Sequence, residues 1–264
     1  MDFRFTDEQR MWKDTLERFM EKEVGREYTR EKEAARAFPE EAYRKVAEQG
    51  WLGLLVPEEL GGLELDPVMY AIFVEAISKF SLDFTACFIT SMFTLQNIAT
   101  NGTPEQKAKY VPGFLAGDLR FSVSISEPGA GSDAAAIRTK AVRDGDDWVI
   151  NGNKIWCSGA HHPNTTIVLL ARTGEDRYGG LTTILVPNDA KGLDMQKMPT
   201  IVRKSLGTTE YFLTDVRVPV SNTIGKEGEG VLAVRVPLYQ CKHVRPKSRT
   251  QPLPYLIESG YPSV

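Results

Sequence analysis

The apolar residues of this chain change their spacing near Arg120, so one type of regular element cannot account for both halves. Before that point they recur every three to four positions, the period of a helix with one buried face. From there to about Pro219 they come in short runs rich in Val, Ile and Thr, separated by turn residues, which is the pattern of antiparallel strands. The chain therefore reads as α+β: an N-terminal all-α helical domain over residues 1–119, then a small antiparallel β barrel or sandwich over 120–230. Residues 231–264 follow neither rule.

The helical half opens at Thr6, with Gln9 three residues on, a capping box. Met11, Trp12, Leu16, Phe19 and Met20 follow as an apolar stripe. A second helix is predicted from Pro39 to Gly50, since proline suits a first turn and glycine a C-terminal cap. Trp51 to Leu63 carries Pro57 and the pair Gly61–Gly62 and reads as a turn-rich crossing. Further helices fit Pro67 to Phe80 and Asp83 to Thr100, and a short one capped by Thr103 and Gln106 ends near Pro112. In the β half, turns at Asp144–Asp147 and Asn151–Asn153 predict consecutive hairpins, with later strands over Thr166–Ala171, Leu181–Val186 and Tyr211–Val218.

The last segment holds five of the chain's 15 prolines, and Arg235, Lys242, Arg245, Lys247 and Arg249 against Glu258 as its one acid. It reads as a disordered or loosely packed basic tail, a nucleic-acid arm being the sharper alternative. Over the whole chain 32 Lys and Arg face 35 Asp and Glu, so bulk charge gives no reason to expect nucleic acid or an anionic membrane as partner. No apolar stretch approaches the roughly 20 residues of a membrane helix, and the charged start after Met1 has no signal-peptide core. Cys87, Cys157 and Cys241 are widely spaced and read as free thiols, so a cytoplasmic location is expected.

Two runs carry the chemistry. Ser124-Ile125-Ser126-Glu127-Pro128-Gly129-Ala130-Gly131-Ser132-Asp133 sits where an apolar β run breaks into glycines. Such a loop is either an ordinary turn or a place where backbone amides and the Ser126 and Ser132 hydroxyls meet a flavin edge or a phosphate. Gly129, Gly131 and Ala134 also match a dinucleotide fingerprint, but the residues after Ala136 read as a hairpin where that fold needs a helix. The second run, Lys154-Ile155-Trp156-Cys157-Ser158-Gly159, places an indole and a hydroxyl two residues apart; alone, Trp156 would more often be core. His161 and His162 read as exposed loop histidines with no partners at metal spacing, and Cys157 as a small packing residue. No metal site is expected.

Taken together, Ser126 to Asp133 and Trp156 to Ser158 resemble the two flavin-binding signatures of the acyl-CoA dehydrogenase family, in the same order and separation. Gly53 to Gly62, Gly102 to Tyr110 and Asp215 to Pro219 resemble the same family, so the likeness covers about residues 1–230. It implies FAD held between the β domain and a C-terminal four-helix domain, with Val123, Ser124, Ile125 and Ser126 along the isoalloxazine. It further implies that Gly131 and Ser132 meet the pyrophosphate and the acyl-CoA, that Trp156 and Cys157 lie at the flavin, and that Ser158 reaches its N5. Val123 stands where the family often has an aromatic, and Ser126 and Ser158 where it often has Thr; both serines keep the hydroxyl. The implied reaction is α,β-dehydrogenation of an acyl-CoA, with electrons passing to an electron-transferring flavoprotein, in an enzyme whose intact members are homo-oligomers. The general base would come from the C-terminal domain, so no catalytic residue is assigned within this sequence. The resemblance stops near Gly230, which reads as a truncation by a frameshift, an interrupted gene or an alternative end. The alternative to an enzyme is an inactive remnant that binds flavin or CoA weakly or associates with an intact homologue. A flavin oxidase or monooxygenase is a third reading.

Overall fold

The computed structural model describes residues 4–177 and 179–230. The expectations for 231–264 and for Cys241 lie outside them. Helix α1, Asp7–Phe19, is capped as the sequence predicts: Gln9 N donates to Thr6 Oγ1 at 3.2 Å and Thr6 N to Gln9 Oε1 at 3.0 Å. It buries Leu16 and half-buries Trp12, but Met11 of the predicted stripe faces solvent. The helix widens into one π turn, Met20–Val24, which places both end residues in the core and stops at Gly25.

Helix α2, Arg26–Ala35, is absent from the sequence reading. Its Arg-Glu-Tyr-Thr-Arg-Glu-Lys-Glu run buries only Thr29, so no apolar stripe betrays it. Helix α3, Glu40–Glu48, starts directly after Pro39, and the left-handed Gly50 follows its end. Trp51–Gly53 and Glu58–Leu60 are short 3₁₀ turns that make the crossing to α4, Pro67–Ser78. Helix α5, Leu82–Asn101, buries residues all round its axis because it is the central helix. Helix α6 spans Pro104–Leu115 and runs through Pro112 instead of ending there. Burying Val111 and Phe114 on either side outweighs the single ladder bond that proline forfeits.

Eight strands follow: β1 (Arg120–Ser124), β2 (Lys140–Asp144), β3 (Asp147–Ser158), β4 (Thr165–Arg172), β5 (Leu181–Pro187), β6 (Leu193–Met198), β7 (Thr208–Pro219) and β8 (Thr223–Ile224). They form one sheet in the order β6-β7-β3-β2-β4-β5-β8, with β1 also on β4. The Asp144–Asp147 turn makes the predicted hairpin. The second predicted hairpin is not formed. Asn151–Asn153 lies inside the continuous β3, where the ladder slips between Ile150 and Gly152 without reversing. A bulge and a hairpin turn share the same Asn and Gly composition, which is why the local pattern misleads.

The sheet is mostly antiparallel, with one exception that matters for the site. β1 arrives from α6 and lies parallel to β4, Arg120 opposite Thr165 through Ser124 opposite Leu169. A parallel neighbour requires a long crossover, and here β2 and β3 make it. The same sheet face packs on the helices, so Phe121, Val168, Leu185, Leu206 and Ile224 share one core with Leu16, Phe73 and Phe88. A second core around Trp148, Ile150, Ile184 and Tyr211 fills the other side of the sheet. Among the described residues no helix is long and apolar enough to cross a membrane.

Candidate functional site

The ends of β1 and β3 meet, and that meeting joins the two signature runs. Ser122 Oγ donates to Ser158 O at 2.8 Å, Ser124 Oγ lies 3.2 Å from Cys157 Sγ, and Ile155 N donates to Ser126 O at 3.0 Å. Alternation does the sorting. Ser122 and Ser124 point inward and are fully buried, whereas Val123 and Ile125 take the opposite face and are half-buried. Ile125 packs beside Ala130, Ile137, Leu170 and Leu181.

Beneath this seam lies a buried ion pair. Lys154 is fully buried, and its Nζ donates to Ile125 O at 2.9 Å and to Glu127 Oε1 at 3.0 Å. Glu127 also accepts from the backbone N–H groups of Arg138 at 2.7 Å and Thr139 at 2.9 Å. Burial pushes the Lys154 ammonium below its usual range against the pull of Glu127. For Glu127 burial works upward, but bonds from Thr139 and Arg138 and the Lys154 charge prevail and hold the carboxyl below its usual range. Lys154 thus holds the start of the loop that begins at Ser126, and Glu127 ties that start to Arg138 and Thr139.

That loop is open where a ligand would need it open. A side chain at Gly129 or Gly131 would meet nothing within 4 Å, and Ser132 is exposed. Neither the Ser126 nor the Ser132 hydroxyl has a side-chain hydrogen bond among the described residues. At the other end of the seam the β3 ladder slips again between Lys154 and Cys157, and Trp156 takes φ 65°, a left-handed value rare for an indole residue. The bulge turns the ring outward, leaving Trp156 58% exposed, whereas Trp51 and Trp148 are buried. Cys157 is the packing residue expected; burial, the largest influence, pushes its thiol up.

Ser158 is 7% exposed, and its Oγ accepts from Arg203 Nη1 at 2.6 Å. Arg203 lies in the connection from β6 to β7. Beside it a cavity of about 350 Å³ opens toward the start of α5, lined by Ala86, Ile89 and Thr90 and by the exposed Leu82, Ile201 and Val202. The expectation of exposed loop histidines needs correction: His161 and His162 are half-buried, their rings 4.1 Å apart. His162 lies 4.8 Å from the Phe38 ring, because the helices cover this side of the sheet. Burial, with His162 and Lys197 nearby, pushes the His161 imidazole down to about 4. Among the described residues no three His, Cys, Asp or Glu side chains come together as a metal would need.

The N-terminal domain profile of acyl-CoA dehydrogenases matches residues 6–118, and the middle-domain profile of the same enzymes matches residues 122–216. This chain belongs to the acyl-CoA dehydrogenase family. Among its relatives is the Bacillus subtilis (strain 168) protein named "Probable acyl-CoA dehydrogenase YngJ", 34% identical over 243 residues, covering 87% of this chain and 61% of that one. The mouse mitochondrial long-chain specific acyl-CoA dehydrogenase is 31% identical over 229 residues, covering 86% and 53%. The crystal structure of acyl-CoA dehydrogenase from Geobacillus kaustophilus superposes with a TM-score of 0.82 at 29% identity, covering 91% of this chain and 64% of that chain. The chain thus spans less than two thirds of the length of each of these relatives.

Members of the acyl-CoA dehydrogenase family use FAD. The residues present fit a flavin: two hydroxyls without partners, two glycines with open space above them, and an indole turned outward lie along one seam. Arg203 and Glu127 support this seam, yet the sequence reading gives neither of them a role. Glu127 and Lys154 lie within the two runs that carry the chemistry, but nothing in their spacing pairs them. Arg203 stands in Thr-Ile-Val-Arg-Lys-Ser-Leu, where no spacing sets it apart from any surface arginine.

Proposed function

We propose that this chain supplies the flavin-facing and thioester-facing surface of an FAD-dependent enzyme that dehydrogenates an acyl-CoA between its α and β carbons and passes the electrons to an electron-transferring flavoprotein. The observation that carries this reading is the lacing of Ser122, Ser124 and Ser126 to Ile155, Cys157 and Ser158, which makes one surface of two distant sequence runs. When bound, the flavin accepts the β hydrogen with its electron pair at N5 while the α proton goes to a base.

The part assigned to this chain is orientation. Trp156 offers an apolar ring face, Ser126 a hydroxyl for the polar edge, and Ser158 a hydroxyl for N5. Val123, Ser124 and Ile125 form the strand end beside them, and Gly131 and Ser132 leave room for the pyrophosphate and the acyl-CoA. Aligned ring and thioester lower the barrier by removing freedom before the reaction starts. The apolar residues of the open cavity beside Arg203 suit an acyl chain. Loop 126–133 keeps its shape through Glu127 and Lys154, so its backbone donors are preorganised. No residue of the chain is assigned as the base. The buried free thiols of Cys87 and Cys157 agree with a reducing, cytoplasmic setting.

The test is the visible spectrum of the purified chain with FAD, before and after anaerobic addition of mixed saturated acyl-CoAs. A flavin spectrum that bleaches is the expected result. Protein that takes up no FAD would defeat the proposal, and protein that binds FAD without bleaching would reduce it to a binding surface. Oxygen uptake coupled to turnover would point to an oxidase or monooxygenase instead.

A further inference from the structure

A serine hydroxyl has lone pairs to receive a hydrogen bond and one proton to give. In Ser158 the receiving side is occupied by Arg203 Nη1 at 2.6 Å, whereas the proton has no acceptor among the described residues, although the side chain is 7% exposed. A buried donor left without an acceptor is uncommon in a folded chain. The arginine is equally unusual. Its backbone has φ 56°, in the left-handed region, and its guanidinium has no carboxylate partner among the described residues.

The surrounding loop is built to hold that conformation. Gly207 N donates to Arg203 O at 2.7 Å, Ser205 N donates to Asp83 Oδ2 at 2.8 Å, and His162 Nε2 lies 2.6 Å from Leu206 O. Asp83 and Ser205 are both buried, and Asp83 belongs to α5 in the helical core. The loop carrying Arg203 is thus pinned from two sides to packed structure. A strained residue so secured is what a functional constraint produces.

We propose that Arg203 is a positioning residue for the flavin: it holds the oxygen of Ser158 so that the hydroxyl proton points to the N5 edge, and it sets a positive charge behind that bond. The proposal rests on the FAD reading above. A hydroxyl that accepts from a cation is a stronger donor, because linked hydrogen bonds polarise one another. That bond is made to oxidised N5, which carries an N–H once reduced and no longer accepts, so it favours the oxidised flavin, while solvent around the exposed guanidinium screens its direct charge.

The experiment uses the full chain loaded with FAD, as wild type, Arg203→Met, Arg203→Lys, Ser158→Ala and the Ser158→Ala/Arg203→Met double variant. Two quantities are read: the FAD dissociation constant from flavin fluorescence, and the two-electron midpoint potential against a reference dye. Arg203→Met is expected to change the ratio of reduced-to-oxidised flavin affinity about tenfold, a rise of about 30 mV. Arg203→Lys, which keeps the charge but loses the fork, should rise by less. In the Ser158→Ala background the Arg203→Met shift should largely vanish. An unchanged potential and affinity in Arg203→Met with flavin bound would overturn the inference, and so would an equal shift with and without Ser158. If circular dichroism shows that Arg203→Met does not fold, Arg203→Lys decides, and identity with wild type in both quantities counts against it. A wild-type chain that binds no FAD defeats the FAD reading and this inference together, an outcome distinct from variants that bind like wild type.

Discussion

Lys154 shows how much one residue can organise. Its ammonium is fully buried, and Glu127 is its ionic partner. Removing one member of such a pair strands a charge, whereas neutralising both does not. Lys154→Met is therefore expected to destabilise the fold by about 3–5 kcal/mol in urea unfolding, with much of the loss recovered in Lys154→Met/Glu127→Gln. A single variant as stable as wild type, or a double variant no better than the single, would show that the pair is not coupled in this way. The two runs that hold Ser126, Ser132 and Trp156 stood out in the sequence through their family resemblance, and the structure brings the runs together. The pair beneath them did not stand out, since a lysine in a strand pattern reads as solvent-facing and only the β1–β3 contact turns it inward. Arg203 is the extreme case: its meaning comes entirely from Ser158, 45 positions earlier in the chain.

Helix starts were the most legible elements, because a cap is a contact between near neighbours in sequence. Both capping boxes form, at Thr6 with Gln9 and at Thr103 with Gln106. They differ in reach. Gln9 serves an exposed helix end, while the Gln106 amide also donates to Ser221 O and Thr223 O, each at 2.8 Å, across to the β domain. Gln106→Ala should cost about 1–3 kcal/mol because two hydrogen bonds to carbonyls of the β domain are lost. Gln9→Ala should cost less than about 1 kcal/mol, and melting temperatures of the two variants in one buffer check the ranking. Equal losses would mean that the contact across the domains adds nothing. Elements that lean on other elements were harder to read. β6 pairs only with β7 among the described strands and half-buries Leu193, Met195 and Met198, and the continuity of β3 depends on β7 pairing across its bulges.

At the scale of the molecule the change of period divides the chain correctly by secondary structure but not by packing. The helices and the inner face of the sheet share one core, from Leu16 to Ile224. Polar ties cross the same boundary: Ser91 Oγ donates to Phe121 O at 2.9 Å, Asp83 accepts from Ser205 N, and Arg120 pairs with Glu40. Calorimetry should accordingly give a single unfolding transition, with equal calorimetric and van't Hoff enthalpies. Two resolved transitions would show that the helices and the sheet unfold as separate units. The shared core also bears on synthesis. The helices emerge from the ribosome first, yet Ile224 of β8 belongs to the cluster that Leu16 begins. That part of the core closes only over a very long loop, and contacts so distant in sequence slow assembly.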